Sequence, residues 1–166
     1  MNEDLSLETA KELFDYSPDT GLLTWRVGGS PRKIGKVVGG RLDVHGYRVC
    51  CVNYRAYKQH RVVWLWWYGK WPVDQIDHIN GDRSDNRIAN LRQATSSLNA
   101  QNKRACMTNN ITTGLLGACL DRKAGKYKAS IGIEGRDYWL GYFATKEEAH
   151  EAYLDAKRRL HAGNTL

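Results

Sequence analysis

Ile76-Asp77-His78-Ile79-Asn80-Gly81-Asp82-Arg83-Ser84-Asp85-Asn86-Arg87-Ile88-Ala89-Asn90-Leu91-Arg92 is the stretch on which the fold turns. Two short apolar runs, at 76–79 and 88–92, bracket a loop of Asn, Gly, Asp, Arg and Ser. Short apolar runs bounded by turn formers predict strands, here an antiparallel pair joined across 80–86. Asp82 and Asp85 suit Asx turns that close the loop, since a short carboxylate reaches the backbone two residues on. Thr95 or Ser96 can then cap a helix running through Asn99 to about Lys103. The product is a strand–loop–strand–helix unit.

On its N-terminal side, Arg61 to Tyr68 is dense in large apolar groups, stops at Gly69 and meets Pro72. That predicts a buried helix with a glycine stop. Trp64, Trp66, Trp67 and Trp71 are expected in the core, and His60 as a buried, hydrogen-bonded histidine, with a catalytic role as the alternative. Tyr47–Val52 and Tyr54–Gln59 predict a β-hairpin. Gly28-Gly29-Ser30-Pro31 and Gly39-Gly40 punctuate the segment before it. Ser6 to Phe14 predicts a helix with Thr9-x-x-Glu12 as a capping box, followed by a Pro18-Asp19-Thr20-Gly21 turn and a Leu22–Trp25 strand.

On the C-terminal side, Met107–Thr113 is polar and uncharged and is the linker candidate. Gly117–Leu120, Lys126–Ile133 and Asp137–Phe143 follow as strands, with Gly135 turning the last pair. Lys126, Lys128 and Ser130 alternate with Tyr127, Ala129 and Ile131, so the sheet has one basic face. Thr145-x-x-Glu148 opens a helix from Lys146 to about His161, with Ala149, Ala152, Tyr153, Ala156 and Leu160 as its apolar stripe.

The chain has 166 residues, enough for one ordinary domain or two small ones, and a net charge of +7. That charge is unevenly spread: 25–71 carries +9 and 103–166 carries +4, while 72–102 carries −1. Two basic blocks suit a polyanion, and an acidic pocket between them suits a divalent cation. The longest apolar run, 62–67, is too short to span a bilayer. Met1-Asn2-Glu3-Asp4 is acidic, unlike a secretory signal, so an intracellular location is expected, in a bacterial host or phage-infected cell. Cys50, Cys51, Cys106 and Cys119 form no C-x-x-C pair and are expected as reduced thiols.

Phosphodiester hydrolysis needs a base for water, a cation to neutralise the phosphate and leaving oxygen, and a group to hold the base's tautomer. Histidine, with an unperturbed pKa of about 6.5, suits the first task. An Asp with an amide or imidazole from a second element can hold a hard cation. Residues 60–102 resemble the HNH (ββα-metal) homing endonucleases of phages and mobile introns. The resemblance rests on His60-Arg61, on 76–82, on Asn86-Arg87-Ile88-Ala89-Asn90-Leu91-Arg92 and on Ser97-Leu98-Asn99. It implies Asp77 as a metal ligand, His78 as general base, Asn90 as the amide bridging the loop, and Asn99 as the second ligand, with Asn102 one turn on as its rival. Asn99 stands where the family often has its last histidine, which favours one Mg²⁺ or Mn²⁺ over zinc.

Residues from Gly117 to Gly163 are similar to an AP2 domain. The similarity rests on Gly125-Lys126-Tyr127, Tyr138-Trp139-Leu140-Gly141-Tyr142-Phe143, Thr145-x-Glu147-Glu148-Ala149 and Ala152-Tyr153. It implies a sheet that reads the DNA major groove through Arg122, Lys126, Lys128, Arg136 and Trp139. The expectation is therefore an α+β protein: residues 1–106 holding the nuclease domain (core about 75–103), a linker at 107–113, and an AP2-like module at 114–166. It would act as a monomer on double-stranded DNA, nicking one strand at a preferred site. A DNA-binding regulator with a decayed nuclease site and a basic assembly protein are the alternatives.

Overall fold

The computed structural model describes residues 4–29, 32–103, 106 and 110–165. The Ser30-Pro31 punctuation, Met107–Asn109 of the expected linker and the first three residues lie outside the described set. Contacts divide the chain into two compact units, Met1–Ala94 and Thr95–Leu166. Among the described residues, no helix is long and apolar enough to cross a membrane. All four cysteines are free, Cys50 buried and Cys51 and Cys119 exposed.

The first unit opens with α1 (Leu7–Leu13), whose N-cap is Ser6: its hydroxyl accepts the Thr9 N–H at 3.1 Å. The Thr9-x-x-Glu12 box is therefore not the start, because the helix begins one turn earlier. It also stops earlier, since Phe14 is extended and begins β1 (Phe14–Ser17), antiparallel to β2 (Leu22–Trp25). β3 (Val49–Val52) and β4 (Arg55–Lys58) form the expected second hairpin.

α2 (Gln59–Tyr68) is buried on every side from Gln59 to Leu65 and ends at Gly69, whose φ of 76° only glycine adopts readily. The core gathers on it from Leu5, Phe14, Leu23, Val38, Val52, Val62, Val63, Ile76 and Leu91. Arg61 on it donates to the Pro72 and Asp74 carbonyls at 3.2 and 3.3 Å, while Gln59 Oε1, His60 Nδ1 and Trp64 Nε1 are buried without a hydrogen-bond partner. Trp64 is core, and Trp66 and Trp71 pack against it while donating to the carbonyls of Phe14 and Leu5. Trp67 departs from expectation: it lies in the open last turn, 45% exposed.

β5 (Gln75–His78) and β6 (Leu91–Ala94) close the unit as an antiparallel pair, with Asp77 opposite Arg92 and His78 opposite Leu91. Residues 88–90, expected as the start of the second strand, form instead a 3-10 turn held by Asn90 N–H to Arg87 O at 2.8 Å.

In the second unit, Thr95 caps the short α3 (Ser96–Gln101), which ends two residues before the expected Lys103. Three strands, β7 (Ala118–Asp121), β8 (Lys126–Ile133) and β9 (Arg136–Phe143), form an antiparallel sheet in chain order. α4 (Lys146–Leu160) carries the expected Thr145–Glu148 capping box. Its core is small: Ala118, Ala129 and Ala149, with Leu115, Tyr127, Leu140 and Phe143 around them. The expected stripe is corrected at its end. Leu160 is 52% exposed, and Lys157 is buried instead, its stem covered and its Nζ donating to the Lys103 carbonyl.

Candidate active site

The β5–β6 pairing fixes two neighbouring side chains, Asp77 and His78, at 5% and 3% exposure. Asp77 Oδ2 accepts from Arg92 Nε and Nη2 at 3.0 and 2.8 Å, so the buried carboxylate faces a guanidinium across the ladder. The His78 ring nitrogen Nε2 lies 3.1 Å from Asn86 Oδ1. Burial pushes the His78 pKa below its usual value; the Asn86 bond and the carboxylates of Asp77, Asp82 and Asp85 oppose that shift. The result favours a neutral imidazole, the form that can take a proton.

The loop between the strands is built from its own polar groups. Asn80 Oδ1 accepts the Asp82 N–H at 2.9 Å, and Asp82 Oδ1 accepts the Ser84 N–H and hydroxyl, each at 2.8 Å. Asp85 takes Arg87 Nε and Nη2 at 2.9 and 2.6 Å and accepts the Asn80 amide at 2.8 Å. Asp82 and Asp85 thus close turns, as read from their type. The Arg87 guanidinium holds the Asp85 carboxyl down at about 2. Asn90 ties the two ends together: its Oδ1 accepts the Asn80 N–H at 2.9 Å and its Nδ2 donates to the Asp85 carbonyl at 2.8 Å. Its backbone carbonyl accepts the Ile79 N–H at 2.9 Å, next to His78.

His60 reaches the same place from α2. Its ring meets the His78 ring edge-on, centroids 5.1 Å apart, and Tyr47 lies 5.1 Å from His60 and 5.9 Å from His78. Lys58 and Arg83 stand over the Tyr47 ring at 4.6 and 5.2 Å. His60 is buried as expected, but its Nδ1 has no hydrogen-bond partner. Burial first, then the neighbouring His78, hold its pKa down to about 3, so it is neutral here. Asn86, 1% exposed, is the site residue that the sequence reading did not single out. Its place eight residues beyond His78, at the loop's end, was the only signal available.

The structure brings Asp77, His78 and Asn90 together; Asn99 stands half-buried on α3, the first helix of the second unit. Asn102 is buried, and its Oδ1 accepts the Thr165 hydroxyl. No group of three His, Cys, Asp or Glu residues with metal-holding geometry occurs among the described residues.

On the second unit's sheet, Lys126 and Lys128 are exposed and alternate with buried Ala129 and Ile131. Trp139 pairs with Ser130 in register, is 66% exposed and meets Tyr142 edge-on at 5.7 Å, so it stands away from α4. Arg122 is exposed in the β7–β8 turn. Arg136 is also exposed but pairs with Ile133, which assigns it to the other side of the hairpin.

Comparison with curated proteins and comparison with solved structures each gave no match. A family model described as HNH endonuclease matches residues 57–101, from β4 through α3. Less than a third of the chain is covered, but all four residues of the candidate constellation fall inside it, and the match supports a nuclease whose HNH domain occupies 57–101.

Proposed function

We propose that this protein is a divalent-metal-dependent, site-selective DNA endonuclease of the homing HNH type that nicks one strand. The observation that carries this reading is the Asp77–His78 pair on β5, with Asn90's carboxamide spanning the loop between its strands, inside the 57–101 match. Asn90 holds the turn, so His78 is presented on a fixed backbone. Nearly full burial keeps the imidazole neutral near pH 7, and His78 accepts the proton of the attacking water. Because burial lowers its pKa, activity is retained somewhat below the pH of about 6.5 at which a free imidazole would charge.

The donors fit a hard cation. Asp77 supplies a buried carboxylate and Asn99 an amide oxygen, both hard donors, and a cation on Asp77 would compete with the Arg92 guanidinium already bonded to its Oδ2. Their pairing as ligands is what the resemblance to the HNH family implies. When bound, Mg²⁺ or Mn²⁺ would supply Lewis-acid stabilisation of the scissile phosphate and leaving oxygen.

The second unit is proposed as an AP2-like reader of double-stranded DNA, with the linker and boundaries expected from the sequence. Lys126, Lys128 and Trp139 form the proposed contact face, with Arg122 in the β7–β8 turn beside it; Arg136, on the other side of the hairpin, is left out of that face. One Asp-His pair per chain lets one chain cut one strand per binding event, and because the apolar stripe of α4 is needed to cover the sheet, the proposed form is a monomer that nicks. The test is supercoiled plasmid with Mg²⁺, Mn²⁺ or EDTA. Relaxed circles that need metal and fall by roughly two to four orders of magnitude in His78→Ala, with DNA affinity kept, are expected. Equal activity of His78→Ala would refute the base assignment. DNA binding without metal-dependent cleavage would favour the regulator reading.

A further inference from the structure

The proposed reaction needs one nitrogen of His78 to carry a lone pair, and the chain must decide which. Nε2 faces the carboxamide oxygen of Asn86 at 3.1 Å, and that oxygen can only accept. A neutral imidazole bonded in this way carries its proton on Nε2 and its lone pair on Nδ1. An amide oxygen does this without a further negative charge beside Asp82 and Asp85; a carboxylate would add one.

Asn86 is itself held from outside the HNH match. Its backbone carbonyl accepts the Tyr16 hydroxyl at 3.0 Å, and the same hydroxyl accepts the Ile88 N–H at 2.8 Å. Tyr16 belongs to β1. At the end of that hairpin's turn, Gly21 has φ 71°, and a Cβ there would meet Arg87 N at 2.4 Å and the Asn86 carbonyl carbon at 2.6 Å. The hairpin backbone therefore lies directly against residues 86–87, with no room for a side chain between them. Asn86 is 1% exposed, and its Nδ2 has no hydrogen-bond partner.

We propose that Asn86 is the positioning residue for His78, setting the Nε2–H tautomer, and that the β1–β2 hairpin holds Asn86 in place through Tyr16 and Gly21. This rests on the nuclease reading for its catalytic consequence, but not for its structural one. An N-terminal hairpin beyond the matched domain thereby becomes part of the active site's support, as a base is oriented by a third group in other hydrolases.

The experiment is ¹⁵N-histidine NMR of the full-length protein without metal, the His78 signal being identified by its loss in His78→Gln. The expected wild-type result is the Nε2–H tautomer; the Nδ1–H tautomer would overturn the proposal without any variant. Asn86→Ala should give mixed tautomers and a cleavage rate lower by about 100-fold, the scale of a misplaced catalytic group, with DNA affinity unchanged. Asn86→Asp, which keeps an acceptor in the same place, should restore the Nε2–H tautomer. Tyr16→Phe should fall between Asn86→Ala and wild type in both readouts. Wild-type tautomer and rate in folded Asn86→Ala would refute the positioning role and leave the nuclease reading intact. No cleavage by any protein, with the tautomers as expected, would refute the nuclease reading and support the positioning role.

Discussion

Lowering the pH from about 7 to about 5 tests whether α2 depends on a neutral His60. His60 is 6% exposed, with Nδ1 unpartnered, Arg61 beside it and the His78 ring 5.1 Å away. Its pKa is about 3 in the fold, whereas an unfolded histidine titrates near about 6.5. A histidine whose folded pKa is depressed contributes stability that is complete above the unfolded value and is lost as pH falls towards the folded one. Between those limits the unfolded chain binds one more proton, so stability declines by about 1.4 kcal/mol per pH unit. From about pH 6.5 to about pH 5 the loss is about 2 kcal/mol, a large share of a typical 5–15 kcal/mol. Asp43 and Asp85, both held near 2, lose their contribution only as pH falls below the ordinary carboxylate range, so they are silent in this window. His78 is shifted in the same direction and adds to the slope. The assay is urea unfolding followed by tryptophan fluorescence, since five of the six tryptophans lie in the first unit. His60→Phe keeps a ring, removes the proton site and the unpartnered nitrogen, and should reduce the pH slope by about one proton. An unchanged slope would refute the assignment of acid sensitivity to His60.

Three further outcomes are expected. Arg92→Ala removes the two hydrogen bonds to Asp77 Oδ2 and should cost roughly 1–3 kcal/mol for a pair with one partner still partly wet; Mg²⁺ should restore part of the melting temperature if Asp77 binds the cation, and no Mg²⁺ effect would count against that. Asn102→Ala should lower stability, because its buried carboxamide holds Thr165, whereas Asn99→Ala should leave stability nearly unchanged and raise the metal concentration needed for cleavage; the reverse pattern would exchange their roles. Lys126→Ala and Lys128→Ala should each lower the slope of log affinity against log salt by about 0.9 if each meets a DNA phosphate, while Trp139→Ala should weaken site preference; unchanged slopes and preference would remove this face from DNA contact.

The site was legible where local chemistry decides structure and illegible where tertiary closure does. The Asx turns at Asp82 and Asp85 follow from short polar side chains acting within a few residues, whereas Asp77 and His78 were singled out by the resemblance of their motif. The 88–92 strand was half wrong for a physical reason. Asn90 bonds Asn80 N and Asp85 O from a 3-10 turn that precedes the strand pairing, and a short apolar run carries no trace of those loop contacts. β1 was missed although Phe14-Asp15-Tyr16-Ser17 alternates apolar and polar: four residues directly after a helix are too short a run to stand out, and pairing with β2 makes them a strand. Asn86 looked like one more polar loop residue; its role depends on Tyr16, seventy residues earlier.

The contact boundary between Ala94 and Thr95 bears on how the molecule can be dissected. Sequence spacing groups 95–103 with the nuclease stretch, and the 57–101 match runs through α3 as well. Yet α3 is packed by the chain's last residues: Gly163 N–H donates to Gln101 Oε1 at 2.9 Å, and Lys157 Nζ donates to the Lys103 carbonyl. At Gly163 a Cβ would stand 2.5 Å from the Leu98 carbonyl oxygen, so the tail's backbone lies directly on the helix. A six-residue helix has too few internal hydrogen bonds to persist alone. A chain cut after Lys103 would lose what holds Asn99 in a helix, together with the basic sheet. Loss of cleavage in such a truncation would therefore not distinguish a missing DNA contact from a missing ligand. Point substitutions on the exposed face, which leave Lys157 and Gly163 in place, separate the two, because only a ligand defect can be offset by raising the metal concentration.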